Sequence, residues 1–114
     1  MSKRILIVED EMTIALLLED MVMDLGHEPA LAMRLPQALQ LAETADIDLA
    51  ILDVNLDGRV SFPVADVLLR RGVPFLFATG YGSAGIEPPY RDRLVIQKPF
   101  SLEDLGRAID KVAA

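Results

Sequence analysis

Residues 5–8 read ILIV and are followed at once by EDE at residues 9–11. An apolar run this short, cut off abruptly by charge, is what a parallel strand buried on both faces requires. Working outward, Ile14, Leu17, Leu18, Met21, Val22 and Leu25 recur at helical spacing, with Glu19, Asp20 and Asp24 on the opposite face and Gly26 as the stop. The stripe from Ile14 to Leu25 is expected to be core. Segment 27–33 contains Pro29, which cannot donate to a ladder and so confines any strand there to a sheet edge. Pro36 opens a second helix, DLAILDV (residues 48–54) reads as another buried strand, and residues 62–71 as a helix with Pro63 in its first turn and Gly72 at its end. VPFLFA (73–78) and residues 94–97 are two further strands. Ser101 and Asp104 have the spacing of a capping box ahead of a last helix carrying Leu102, Leu105, Ile109 and Val112.

The alternation of strands and helices predicts an α/β fold: a doubly wound, five-stranded parallel sheet with helices on both faces. With the Pro29 strand at an edge, the natural order is 2-1-3-4-5. One segment resists the pattern. Residues 80–93, GYGSAGIEPPYRDR, hold three glycines and two prolines where the fourth helix belongs, so that helix is expected to be short or irregular.

At 114 residues, with 52% hydrophobic and 25% charged side chains, the chain has the size and composition of one folded domain. No apolar run is long enough for a transmembrane helix or a signal peptide, which points to the cytoplasm and excludes membrane insertion. There are no cysteines and one histidine, His27, expected to be a plain surface residue; any metal must therefore be held by oxygen. The net charge of −7 is concentrated in residues 1–57, which carry 12 acids and 3 bases. No extended basic stripe exists, so nucleic-acid binding is not expected.

Glu9 and Asp10 follow the first strand, Asp53 ends the third, Thr79 follows the fourth and Lys98 the fifth. In a parallel sheet all strand ends of one kind share one edge, and ligands sit in the crevice there. Each group alone reads as an ordinary strand-end or loop residue. Together they form an acid cluster that suits Mg²⁺, with a hydroxyl and an ammonium facing one aspartate, and this is a site for a phosphoryl group on that aspartate.

These residues, with Asp53 set in ILDVNL and Lys98 in Lys98-Pro99-Phe100, resemble the receiver domain of two-component response regulators over essentially the whole chain. The resemblance implies a flavodoxin-like fold, a receiver domain spanning 1–114 with no output domain, and a stand-alone regulator. It implies Asp53 as phosphoacceptor and Glu9, Asp10, Asp53 and the main-chain carbonyl of Asn55 as the Mg²⁺ (or Mn²⁺) site. Thr79 and Lys98 would bind the phosphoryl group, Gly80 would keep the approach open, and Lys98-Pro99 is a cis-peptide candidate. The string PFLFATGY (74–81) resembles a subgroup described by the motif FATGUY. That likeness suggests as partners a histidine kinase, of the HWE type or related, or a histidine phosphotransferase, with a further protein downstream. Receivers usually carry a switching aromatic three residues before the lysine; here that position is Val95, and Tyr81 is a candidate replacement. Beyond its own phosphorylation and dephosphorylation, no enzymatic turnover is implied.

Three other readings compete. Gly80, Gly82 and Gly85 match a dinucleotide fingerprint, but Pro88-Pro89 interrupts the helix that motif needs. A small Mg²⁺-dependent phosphatase would want a second aspartate where Asn55 stands. A receiver-fold interaction module indifferent to phosphorylation would have no use for the intact set of acids, threonine and lysine.

Overall fold

The structure is a computed structural model, and it describes residues 2–56, 59–79, 95–97 and 100–113. Strands β1 (Arg4–Val8) and β3 (Leu49–Asp53) lie at the centre of a parallel sheet, because their apolar runs leave no polar face to turn to water. Their alternation divides the core in two. Leu6, Val8, Ala50 and Leu52 face helices α2 (Leu35–Thr44) and α3 (Phe62–Arg71). Ile5, Ile7, Leu49 and Ile51 face α1 (Met12–Asp24) and α4 (Leu102–Ala113). Among the described strands, β2 (Glu28–Ala32) pairs with β1 alone and forms one edge, as Pro29 demands.

After β3 comes a small antiparallel hairpin, β4 (Asn55–Leu56) and β5 (Arg59–Val60). Strands β6 (Phe75–Thr79) and β7 (Val95–Gln97) complete the sheet in the order β2-β1-β3-β6-β7. Counting the five sheet strands along the chain, this is the expected 2-1-3-4-5. The fold is the doubly wound, flavodoxin-like receiver architecture, with four helices among the described residues. None of those helices is long and apolar enough to cross a membrane.

Local signals set the helix ends. Gly26 (φ 87°) and Gly72 (φ 72°) sit just past α1 and α3 in the left-handed region, where a side chain would be strained. At each, the next amide reaches back to a helix carbonyl: His27 N–H to Val22 at 3.0 Å and Val73 N–H to Leu68 at 2.9 Å. The capping box of α4 is reciprocal, Asp104 N–H to Ser101 Oγ at 3.0 Å and Ser101 N–H to Asp104 Oδ2 at 3.2 Å. The Ser101 amide, then its hydroxyl, then the Arg107 guanidinium hold the Asp104 carboxyl below the usual carboxylate range. What this carboxylate adds to the start of α4 is therefore present above that range and is lost as the pH falls through its lowered value.

Three expectations need correction. The α1 stripe is phased differently, since Ala15, Leu18 and Val22 are the buried positions. Leu17 is 50% exposed, because it stands about 100° round the helix from Leu18, and Ile14, Met21 and Leu25 are half-buried. His27 is not a plain surface residue: it is half-buried and its Nδ1 accepts the Lys3 amide at 3.0 Å, closing the beginning of β1. Thr79 ends β6 rather than following it. The Gly/Pro-rich segment in the place of the fourth helix lies outside the described residues, as do Gly80, Tyr81, Lys98 and Pro99.

The phasing of α1 is testable by urea denaturation. Leu18→Ala should lose about 2–5 kcal/mol, the usual result of emptying a buried leucine site, whereas Leu17→Ala should change stability by about 0.5 kcal/mol or less. Equal losses would contradict the described packing.

Candidate functional site

The site grows out of the β1–β3 register. Ile7 pairs with Ile51 and Val8 with Leu52, so the next rung sets Glu9 beside Asp53. Both continue the alternation of Ile7 and Ile51 and turn to the same side of the sheet. Glu9 is held in line because its amide donates to the Ala32 carbonyl at 3.1 Å, extending the β1–β2 ladder by one residue. Its side chain is buried, only 1% exposed, and one carboxylate oxygen accepts the Glu11 amide at 3.3 Å. Asp10 occupies the turn into α1 and, like Asp53, is half-buried.

One carboxylate oxygen from each of Glu9, Asp10 and Asp53 lies within 4.8 Å of the others. Like charges at this spacing repel by roughly 3 kcal/mol per pair at an effective dielectric near 20. An all-oxygen donor set with three negative charges, partly sheltered from water, fits a hard divalent cation such as Mg²⁺. These three residues would hold such an ion.

Of the other residues singled out by sequence, Thr79 is one position beyond Ala78, the partner of Asp53, and pairs with Gln97, so its main chain borders the cluster. Asn55 stands in β4, two residues after Asp53. The Ser61 amide bonds the Val54 carbonyl at 2.8 Å, which makes 54–61 a hydrogen-bonded rung. The adjacent Asn55–Val60 rung is then of the other kind, whose carbonyls point away from the partner strand. The Asn55 carbonyl is thus left out of the hairpin ladder. Val95 is half-buried, pairs with Phe77 and packs against the core on the α2/α3 side.

The hairpin and Ser61 were not anticipated. Asp57-Gly58 between two short segments is a hairpin signal, although strands of two residues are too short for any periodicity to show. Ser61 is fully buried and its hydroxyl finds no hydrogen-bond partner among the described residues. Such a group destabilises a fold by about 1–3 kcal/mol.

No family model matches the chain. Among solved structures, it is similar to SdrG from Sphingomonas melonis Fr1, with 42% identity, 99% of this chain and 98% of that one covered, and a TM-score of 0.88. It is likewise similar to the PhyR response regulator REC domain from Erythrobacter litoralis, with 30% identity, coverage of 97% and 89%, and a TM-score of 0.85. The transcriptional regulatory protein PdtaR of Mycobacterium tuberculosis is 32% identical over 113 residues, which are 95% of this chain and 55% of the relative. The chain therefore spans about half the length of that curated protein.

Removing one of the three carboxylates should weaken the cation site. Asp53→Asn is expected to reduce the rise in melting temperature that Mg²⁺ produces in the unsubstituted protein. An undiminished rise would show that Asp53 does not hold the ion.

Proposed function

The chain belongs to the receiver family of two-component response regulators, and from that premise we propose that it takes a phosphoryl group from a phosphohistidine onto Asp53 in a Mg²⁺-dependent reaction. The observation that carries this reading is the convergence of Glu9, Asp10 and Asp53 on one point, within 4.8 Å, at the carboxyl edge of adjacent strands. An Asp53 carboxylate oxygen attacks phosphorus in line with the scissile bond. The P–N bond breaks, its electron pair stays on the imidazole nitrogen, and an acyl phosphate remains on Asp53. The cation, when bound, supplies positive charge against the phosphoryl oxygens.

The chain's own groups do the rest. Glu9, Asp10, Asp53 and the outward carbonyl of Asn55 hold the cation, with Mn²⁺ as a substitute. Thr79 donates a hydroxyl hydrogen bond and Lys98 an ammonium to the remaining phosphoryl oxygens. Gly80, lacking a side chain, leaves room for the incoming group. Exposed Met12, Leu16 and Met23 give α1 an apolar stripe that begins at the cluster, and it supports docking of the phosphodonor there.

We read the protein as a cytoplasmic regulator of the FATGUY subgroup. In support of a response regulator, its likeness to SdrG extends over 98% of that chain. Its phosphodonor is a histidine kinase, of the HWE type or related, or a histidine phosphotransferase. The signal leaves by protein contact or by onward phosphotransfer.

Incubation with acetyl phosphate and Mg²⁺ should raise the intact mass by one phosphoryl group, and Asp53→Ala or chelation should abolish the gain. Unchanged labelling in either case would sink the assignment, and no labelling at all under any donor would favour an interaction module indifferent to phosphorylation. Tyr81, in place of the aromatic that Val95 replaces, is proposed as the reporter of the phosphorylated state. Tyr81→Ala should then weaken binding of the phosphorylated form to its partner. A shortened phosphoryl half-life with unchanged affinity would assign it to shielding instead.

A further inference from the structure

We infer that the buried hydroxyl of Ser61 is a positioning group for the cation site, taking up its missing hydrogen bond when a divalent cation settles among Glu9, Asp10 and Asp53. The inference rests on the cation reading above and concerns a residue outside the carboxylate cluster. Chain connectivity is the first reason. Residues 53–61 leave the cluster at Asp53, run through the β4–β5 hairpin and return to the core at Ser61, the residue before α3. The bond from the Ser61 amide to the Val54 carbonyl closes this loop at 2.8 Å, next to Asp53 itself. A pull on the outward Asn55 carbonyl is therefore transmitted, through one rung, to Ser61.

The second reason is the state of Ser61. It precedes α3 at the N-cap position, yet its side chain makes no capping bond. Its own carbonyl accepts the Val64 and Ala65 amides at 3.0 and 3.3 Å, so its backbone is satisfied while its hydroxyl is not. A fully buried hydroxyl without a partner among the described residues favours any rearrangement that gives it one. A suitable acceptor is near, because the Val54 carbonyl has a second lone pair beyond the one used by the Ser61 amide. A small rotation of the hairpin about that rung brings the hydroxyl to it and leaves the first turn of α3 anchored twice.

The test compares Mg²⁺ affinity, by titration calorimetry, in the unsubstituted protein, in Ser61→Ala, and in Thr44→Ala, a control whose hydroxyl bonds the Gln40 carbonyl within α2. In chelator Ser61→Ala should be as stable as the unsubstituted protein or more so, since it removes an unsatisfied group. Its Mg²⁺ affinity should fall roughly fivefold, what one ordinary hydrogen bond contributes, while Thr44→Ala binds normally. Amide exchange in the unsubstituted protein provides an independent readout, with Mg²⁺ slowing exchange at Ser61, Val64 and Ala65. Unchanged affinity in Ser61→Ala overturns the inference, as it would if a trapped water served the hydroxyl in both states. Loss of stability of Ser61→Ala in chelator also overturns it, by showing the hydroxyl already bonded. Failure of the unsubstituted protein to bind Mg²⁺ overturns the cation reading itself and this inference with it.

Discussion

Three carboxylates stand together against their own repulsion because β1 and β3 cannot separate. Each like-charged pair opposes the arrangement by roughly 3 kcal/mol. Against this stand Ile5 to Val8 and Leu49 to Leu52, all essentially without solvent exposure. Each large side chain among them contributes about 1.5–3 kcal/mol on burial. Seven of the eight are Leu, Ile or Val, so the core outweighs the three repulsive pairs by up to about twofold. The register Val8 to Leu52 is accordingly not free to slip, since a shift of one residue would turn every apolar side chain to the opposite face. The acids inherit a position that apolar packing enforces.

The same alternation distributes the helices. α1 and α4 cover one face, α2 and α3 the other, and the cluster lies where both faces run out. α1 leaves the site through Asp10 and Glu11, and α3 follows it through the hairpin, so one helix from each face is tied covalently to the cluster. The Arg71 guanidinium at the end of α3 donates to the carbonyls of Ala42 in α2 and of Ala45 just past it, linking the two helices of that face at the end remote from the cluster. Movement at Asp53 has a short route into the α2/α3 layer.

Most of the architecture was legible because it rests on signals that composition carries locally. An apolar run ending in acids, a proline in an edge strand, and a glycine after each of two helices fix strand order and helix ends with little help from tertiary contacts. The three acids were legible for the same reason, since a parallel sheet delivers its strand ends to one edge. Phase was not. Both Leu17 and Leu18 fit a helical repeat, and only the position of α1 over Ile5 and Ile7 makes Ala15, Leu18 and Val22 the buried line. His27 was misread because its acceptor role depends on an amide 24 residues away. The hairpin escaped because two residues cannot show alternation, and the Ser61 hydroxyl because a missing partner leaves no trace in sequence.

The two edges of the sheet use the same residue type in opposite ways. Asp48 stands just before β3, where its carboxylate accepts the Arg4 amide at 2.8 Å while its own amide donates to the Arg4 carbonyl at 2.9 Å. Beside it, His27 takes the Lys3 amide, so the amino edge commits its polar side chains to the first free amides of the ladder. At the carboxyl edge the amides are already served, Glu9 by Ala32 and Ser61 by Val54. Glu9 accepts the Glu11 amide there, and Asp53, five residues after Asp48 at the other end of the same strand, comes within 4.8 Å of Glu9 and Asp10. One strand thus carries two carboxylates with different settings, Asp48 closing the amino end of the ladder and Asp53 joining an acid cluster at the carboxyl end.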